Sequence, residues 1–302
     1  MTIVEDQKMT ARRILENCMA SGLSTDVAVA RLAVKTDIHA QGLANIALDM
    51  LANAAHSRDW LEAIAALLSG NSDAFDNLRA TAASVHHARL DDETCEMAVI
   101  RLAEGFDRAV AISPAASCQL SSLGDDEKLL TATAEIASWL ERQAFTGAGK
   151  TILDIGCGIG RFELALHART ERIVGIDISS RMIAIARRRC AGLGNVEFRQ
   201  TSGLDLATFG EAGFDCVLAV DSFPYLVLAG VAERHFSEIA RVLRPGGLAA
   251  ILNYSYRMSP AVDSSEVRHL ARTYAMDVVV DGELPFNLWD GIAFLIRHTG
   301  GT

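Results

Sequence analysis

The chain has 302 residues, 50% of them hydrophobic and 22% charged, with a formal net charge of −10. That apolar content excludes a disordered chain, the length suits about two domains, and acidic side chains outnumber basic ones in both halves, so no nucleic-acid partner is expected. No apolar run is long enough to span a bilayer and the polar, acidic start from Met1 to Lys8 is unlike a secretory signal, so the expectation is a cytoplasmic protein without a membrane partner.

The first half reads as helix. No proline precedes Pro114, and glycine before residue 120 is confined to Gly22, Gly42, Gly70 and Gly105. Proline and glycine are the residues that most disfavour helix, through a missing N–H and a large backbone entropy. The punctuation predicts helices over 9–21, ended by Gly22, and 25–34, capped by Ser24. Others follow over 38–55, capped by Thr36 or Asp37, over 58–70, over 71–78, capped by Asn71, and over 92–111, opened by Asp91 and Asp92 and ended by Ser113-Pro114. Apolar side chains recur at helical spacing, as in Leu61, Ile64, Ala65 and Leu68. Residues 1–120 are thus expected to form an all-helical bundle, acting as a substrate lid, a homodimerisation surface or both. The pair His86-His87 reads as surface histidines, because neighbours on a helix point in different directions.

From residue 121 the pattern changes. Helices are predicted over 126–143, 160–169, 179–193, 229–243 and 263–273. They alternate with apolar strands over 151–155, 172–177, 195–200, 214–220, 247–253, 275–281 and 292–297. Strands rich in Val, Ile, Leu and Ala alternating with helices define an α/β fold with a mostly parallel sheet covered on both faces. The last two strands lack an intervening helix and predict an antiparallel hairpin at one edge. Six scattered cysteines without a C-x-x-C pair offer no zinc site, and no metal is expected.

The strongest chemical signal is Leu153-Asp154-Ile155-Gly156-Cys157-Gly158-Ile159-Gly160, a strand running through glycines into a helix. Glycine permits the tight turn and lets backbone approach a ligand. The second strand ends in Ile176-Asp177-Ile178, where a carboxylate can accept both hydroxyls of a ribose. The order G-x-G-x-G, with Arg161 after it, is not the dinucleotide order G-x-G-x-x-G, and no triphosphate-binding loop is present. Asp154 would repel a pyrophosphate and suits a cationic ligand.

Residues about 125–302 resemble the class I S-adenosylmethionine-dependent methyltransferases. The resemblance is carried by Leu153 to Gly160, by Gly175-Ile176-Asp177-Ile178-Ser179 and by Arg241-Val242-Leu243-Arg244-Pro245-Gly246-Gly247. It implies a Rossmann-like seven-stranded sheet with a reversed edge hairpin, and S-adenosyl-L-methionine as cofactor. It places Gly156, Cys157, Gly158 and Gly160 beneath the methionine part and Asp154 near its ammonium. It gives the ribose to Asp177 and the adenine to Ile178 and Met182. Ser202, Gly203 and Leu204 stand where family members often carry an acid for the adenine amine, and Asp205 follows three residues after Ser202.

For the acceptor, the exits of strands four and five are the places to look, since ligands bind at the carboxyl ends of such strands. Asp221 is expected at the cofactor's methionine end. Phe223, Tyr225, Tyr254, Tyr256, Arg257 and Trp289 are expected to line the acceptor pocket, with Tyr225 and Tyr254 as candidate catalytic groups. Packing of Tyr254 and Tyr256 against the helical bundle, and Trp289 as a turn plug, are the structural alternatives. The resulting expectation is methyl transfer to a small molecule, helped mainly by proximity and orientation. Two other readings stay open: a protein or RNA methyltransferase using the helical domain for recognition, and a non-catalytic sensor of the cofactor or its demethylated product.

Overall fold

The computed structural model describes residues 3–53, 57–70, 72–257 and 259–300. Two compact units divide the chain. One comprises Met1–Val85, Arg108–Ala132 and Phe286–Asp290; the other comprises His86–Asp107, Thr133–Pro285 and Gly291–Thr302. The expected single boundary at residue 120 therefore differs from the observed division. The segment His86–Asp107 belongs with the sheet, and the loop Phe286–Asp290 belongs with the helices.

The helical unit contains α1 (Ile3–Ala20), α2 (Thr25–Lys35), α3 (Ala40–Met50), α4 (Arg58–Gly70) and α5 (Ser72–Ser84). Helices α6 (Cys95–Ile112) and α8 (Asp126–Arg142) contribute residues to both units, and α7 (Pro114–Cys118) to the helical one. Leu15, Leu32, Leu43, Leu61, Ile64, Leu68 and Phe75 form the shared core. Each such side chain contributes about 1.5–3 kcal/mol on burial, far more than propensity alone.

Several caps differ from expectation for local reasons. Ser24 caps α2 as expected, accepting the Val27 N–H at 3.3 Å. α3 is capped by His39, whose Nδ1 accepts the Gly42 N–H at 3.0 Å. Thr36 is buried and its hydroxyl donates to Leu32 O at 2.8 Å, closing the preceding helix instead. α6 starts later than the acidic pair predicts: Asp92 is left-handed at φ 59°, and Thr94 Oγ1 accepts the Met97 N–H at 3.2 Å. α5 runs on to Ser84, and its expected cap Asn71 lies outside the described residues.

The second unit is built on β1 (Gly147–Ile155), α9 (Arg161–Leu166), β2 (Thr170–Asp177), α10 (Ser180–Arg189), β3 (Val196–Gln200) and β4 (Phe214–Val220). It continues with α11 (Phe223–Ala229), α12 (Ala232–Val242), β5 (Leu243–Leu252), α13 (Pro260–Thr273), β6 (Met276–Glu283) and β7 (Ala293–His298). The seven strands pair in the order β3-β2-β1-β4-β5-β7-β6. All neighbours are parallel except β5–β7 and β6–β7, so the edge hairpin is present as predicted. α11 fills the stretch between the predicted strand over 214–220 and the predicted helix over 229–243. Pro224 sits in its first turn, where a fixed φ favours helix and the missing N–H costs nothing.

Phe236, Ile239 and Val242 of α12 recur at helical spacing and pack with Leu153, Ile155, Val217 and Ile251 of the sheet. Strand order reverses between β1 and β4, which sets the ligand-binding crevice at their carboxyl ends.

Candidate active site

The crevice begins where β1 ends. Gly156, Gly158 and Gly160 all hold left-handed backbone, at φ 77°, 55° and 78°, a region that costs glycine nothing and other residues about 1 kcal/mol or more. The Gly156 and Cys157 N–H groups both donate to Ile176 O, at 2.8 and 3.0 Å, which pins the loop to β2. A Cβ on Gly156 would stand 2.4 Å from Ser222 Cβ, so the loop also touches the exit of β4.

Asp177 closes the other side. One carboxylate oxygen accepts the Gly158 N–H at 2.9 Å and the other the Ser179 N–H at 2.8 Å. Burial pushes its pKa up to about 6, against the pull of those donors. The Ile178 N–H pulls in the same direction, and a carboxylate with about four acceptor positions keeps room for a further hydroxyl, which suits a ribose.

Beneath the loop lies an acidic cluster. Asp154 and Glu163 are 1% and 0% exposed, with Arg161 at 7% beside them. Among the described residues, Asp154 Oδ2 and both Glu163 oxygens have no hydrogen-bond partner. Burial raises Asp154 to about 7, partly offset by Arg161, and burial together with Asp154 raises Glu163 well above the carboxylate range. Buried carboxyl groups that burial drives toward the neutral form regain their charge when a cation is placed beside them, which suits a cationic ligand group. Glu163 was not singled out from sequence. Its one trace there is Gly175 in β2, where a Cβ would meet Glu163 Oε1 at 2.3 Å.

On the adenine side expected from sequence, Met182 is buried in the first turn of α10 and Ile178 is half-buried. Gly203 is left-handed, and a Cβ there would meet Ile178 at 2.4 Å and Val99 of α6 at 3.0 Å. Ser202 is exposed and accepts the Leu204 N–H at 3.3 Å, while Asp205 accepts the Ala207 N–H at 3.1 Å as a turn residue. α6 covers this edge through Asp107, which accepts from the Ser179 and Ser180 hydroxyls and, at 3.1 Å, from the Arg181 N–H. Neither Val99 nor Asp107 was legible as a site neighbour, because both belong to the helical half of the sequence. Arg187, Arg188 and Arg189 form an exposed face of α10.

At the exits of β4 and β5 the expected acceptor residues separate. Tyr256 donates its hydroxyl to Asp221 Oδ1 at 2.8 Å, and Asn253 Nδ2 donates to the same oxygen at 2.8 Å. The Tyr225 ring stands 5.6 Å from Tyr256 and 4.8 Å from Phe106, both edge-on. Burial and the Asp221 charge push the Tyr225 and Tyr256 hydroxyls above the usual phenol range. His87, expected as a surface histidine, is exposed, yet its ring lies 5.7 Å from Tyr225 and 5.6 Å from Tyr256.

Four expectations are corrected. Tyr254 is 1% exposed and stacks on Phe223 at 5.3 Å; Phe223 is 0% exposed, and both lie in the sheet's main core. Core burial removes Phe223 from the pocket wall and Tyr254 from the catalytic candidates. Arg257 is engaged by Asp263 and Glu266 on α13 rather than turned to an acceptor. Trp289 is 4% exposed, stacks on Phe286, and belongs to the helical unit, where Arg31 pairs with the neighbouring Asp290 at 2.6 Å.

A reversed-edge parallel sheet, a glycine loop at its switch point and an acid ending β2 together define a Rossmann-like nucleoside-cofactor domain. Residues 152–247 match the family model described as a methyltransferase domain.

Among similar proteins, the demethylmenaquinone methyltransferase of Tropheryma whipplei (strain Twist) is 36% identical over 36% of this chain and 44% of its own. The ubiquinone biosynthesis O-methyltransferase of Sinorhizobium fredii is 34% identical over 37% of this chain and 44% of its own. The chain thus spans less than half the length of each of these two relatives. A solved S-adenosylmethionine-dependent methyltransferase from Aquifex aeolicus aligns at 19% identity and TM-score 0.43 over 57% of this chain and 92% of its own. No helix among the described residues is long and apolar enough to cross a membrane.

Proposed function

We propose that the chain transfers a methyl group from S-adenosyl-L-methionine to a small-molecule acceptor. The observation that carries this reading is Asp177: its carboxylate is anchored by the glycine loop and by Ser179 and retains acceptor capacity for a ribose hydroxyl. Asp177 holds the ribose, and Ile178 and Met182 pack the adenine, with Ser202, Gly203 and Leu204 at its edge. Asp154 faces the ammonium end, and Gly156, Cys157, Gly158 and Gly160 supply close backbone approach. The cofactor supplies an electrophilic methyl on a positively charged sulfur, so the protein's own task is to orient the acceptor and exclude water. The small-molecule assignment is supported by the names of the two relatives above and by the aromatic group around Tyr225.

Calorimetry with S-adenosylhomocysteine tests the reading. Wild-type protein should bind, and Asp177→Ala should weaken binding at least about 10-fold, the scale of losing one or two charged hydrogen bonds at about 1.5–3 kcal/mol each. Absence of binding by wild-type protein would refute the reading.

A further inference from the structure

We propose that Glu163 is a positioning residue of the cofactor site: it stays protonated and donates its O–H to the Asp154 carboxylate, so that Asp154 alone of the pair meets the cofactor's ammonium as an anion. The proposal rests on the methyltransferase reading above. It starts from a juxtaposition within the sheet unit that no motif contains.

Asp154 of β1 lies beside Gly175 of β2, and Gly175 beside Phe198 of β3. Paired residues of neighbouring strands stand about 4.7–4.9 Å apart and project to the same face. Leu153 and Ile155 turn into the main core, so Asp154 faces the other side of the sheet. There Glu163 of α9 fills the place that a side chain at 175 would take. A Cβ on Gly175 would meet Glu163 Oε1 at 2.3 Å, and Cys157 Cβ and Phe198 Cδ1 each at 2.9 Å. The register of β1 and β2 therefore sets the Glu163 carboxyl group next to that of Asp154, and glycine at 175 leaves the room for it.

The surroundings are apolar. Cys157, Ile183, Ala186, Cys190 and Phe198 form a buried cluster on this face. Two carboxylates side by side in such an interior cannot both stay ionised, and one keeps its proton. Asp154 Oδ2 and both Glu163 oxygens lack a hydrogen-bond partner among the described residues. A proton between the two groups supplies the missing donor, since a protonated carboxyl has one O–H to give.

The charged neighbours decide which group keeps it. Burial lifts both. At Asp154 the Arg161 charge pulls back down, against the push of Asp177. At Glu163 the charges of Asp154 and Asp177 add to burial, and the pull of its own backbone N–H opposes them. A bond from Glu163 to Asp154 acts in the same sense, lowering Asp154 and raising Glu163. The other titratable groups on this face are the Cys157 and Cys190 thiols, of which Cys190 is pushed up to about 11, chiefly by burial. Arg161 is itself held from α8, where its Nη1 donates to Thr133 Oγ1 at 3.4 Å.

The charges then balance. Asp154 and Asp177 carry two negative charges, and Arg161 and the ligand's ammonium carry two positive ones. An ionised Glu163 would leave one negative charge uncompensated in this interior, which is costly.

The test uses the full chain at pH 7, with S-adenosylhomocysteine as probe because it carries the same amino-acid end. Glu163→Gln keeps a neutral donor in place and should bind the probe within about threefold of wild type by calorimetry. Glu163→Leu keeps bulk without a donor and should bind about 10-fold or more weakly, the scale of losing one hydrogen bond to a charged group. Equal weakening of both variants would overturn the proposal, because Glu163 would then act through its charge. Binding by Glu163→Leu within threefold of wild type would overturn it as well. Infrared spectra read the proton itself and do not depend on how well the leucine variant folds. Wild-type protein should show a protonated-carboxyl band that persists with the probe bound and is lost in Glu163→Gln; a spectrum in which only carboxylate bands change contradicts the assignment. Wild-type protein that binds the probe while these comparisons fail overturns this proposal alone. Wild-type protein that does not bind it removes the methyltransferase reading, and this proposal with it.

Discussion

Asn253 donates its side-chain amide to the Asp221 carboxylate at 2.8 Å, and both residues hold left-handed backbone, at φ 66° and 56°. They terminate β5 and β4, the two strands whose exits carry the aromatic group. Left-handed backbone at non-glycine residues persists where surrounding bonds over-determine it. Asn253 supplies several such bonds: its Oδ1 accepts the Ile292 N–H at 2.8 Å, and its own N–H donates to Ile292 O at 2.7 Å.

Asn253→Ala removes both side-chain bonds and keeps the strained backbone. The expected loss of stability is about 2 kcal/mol, at about 1 kcal/mol for each hydrogen bond. Urea denaturation of the variant measures it. A loss below about 0.5 kcal/mol, typical of surface substitutions, would show that the pair does not hold these strand exits.

Gly156 and Gly246 make a controlled comparison. Both have positive φ, at 77° and 79°, but a Cβ on Gly156 meets Ser222 at 2.4 Å while one on Gly246 meets nothing within 4 Å. Gly246→Ala should cost about 1–2 kcal/mol, the backbone term alone. Gly156→Ala should add about 1–3 kcal/mol of overpacking and weaken S-adenosylhomocysteine binding. Equal denaturation midpoints for the two variants would contradict the close approach of loop and β4.

The buried acids make stability pH-dependent. Asp177 is raised from 3.8 to about 6, Asp154 from 3.8 to about 7, and Glu163 well above its usual 4.5. A raised carboxyl pKa means that the folded state binds more protons than the unfolded one within this window. These groups therefore stabilise the fold least once pH has risen through their folded pKa values, and most near pH 4. Glu163→Gln removes one charge that the interior otherwise opposes. Its stability relative to wild type should rise between pH 5 and pH 8 in urea titrations; a difference that stays flat across that range would rule out the shared burial as its cause.

Asp107 acts on α10 from another helix, bonding the Ser179 and Ser180 hydroxyls and the Arg181 N–H. Asp107→Ala should cost about 0.5–2 kcal/mol, the range for losing an N-terminal cap, and should speed amide exchange in the first turn of α10. Unchanged exchange at Arg181 and Met182 would show that the Ser179 hydroxyl, which accepts the Met182 N–H at 3.0 Å, suffices as cap.

The sequence by itself determined the α/β sheet with its edge hairpin. Alternating apolar runs, the glycine spacing at 156, 158 and 160 and the acid at 177 are local signals, set by backbone sterics and by a strand's reach. It also marked residues 1–120 as helical, through the lack of proline and the scarcity of glycine. Position across elements was decided only by tertiary structure. Tyr254 and Tyr256 are two residues apart in one strand exit, yet one lies in the core and the other bonds Asp221, a division that depends on how the chain turns after Asn253. Phe223 lies in the core as the first residue of α11, whose first turn also holds Pro224. Glu163, Asp107 and His87 gained neighbours more than ten residues away in sequence, and no periodicity or spacing encodes such contacts. The compositional divide near residue 120 separates helix from sheet sequence, but packing moved His86–Asp107 to the sheet unit and Phe286–Asp290 to the helical one. Composition records local backbone preference, whereas the packed contacts of each segment determine the unit to which it belongs.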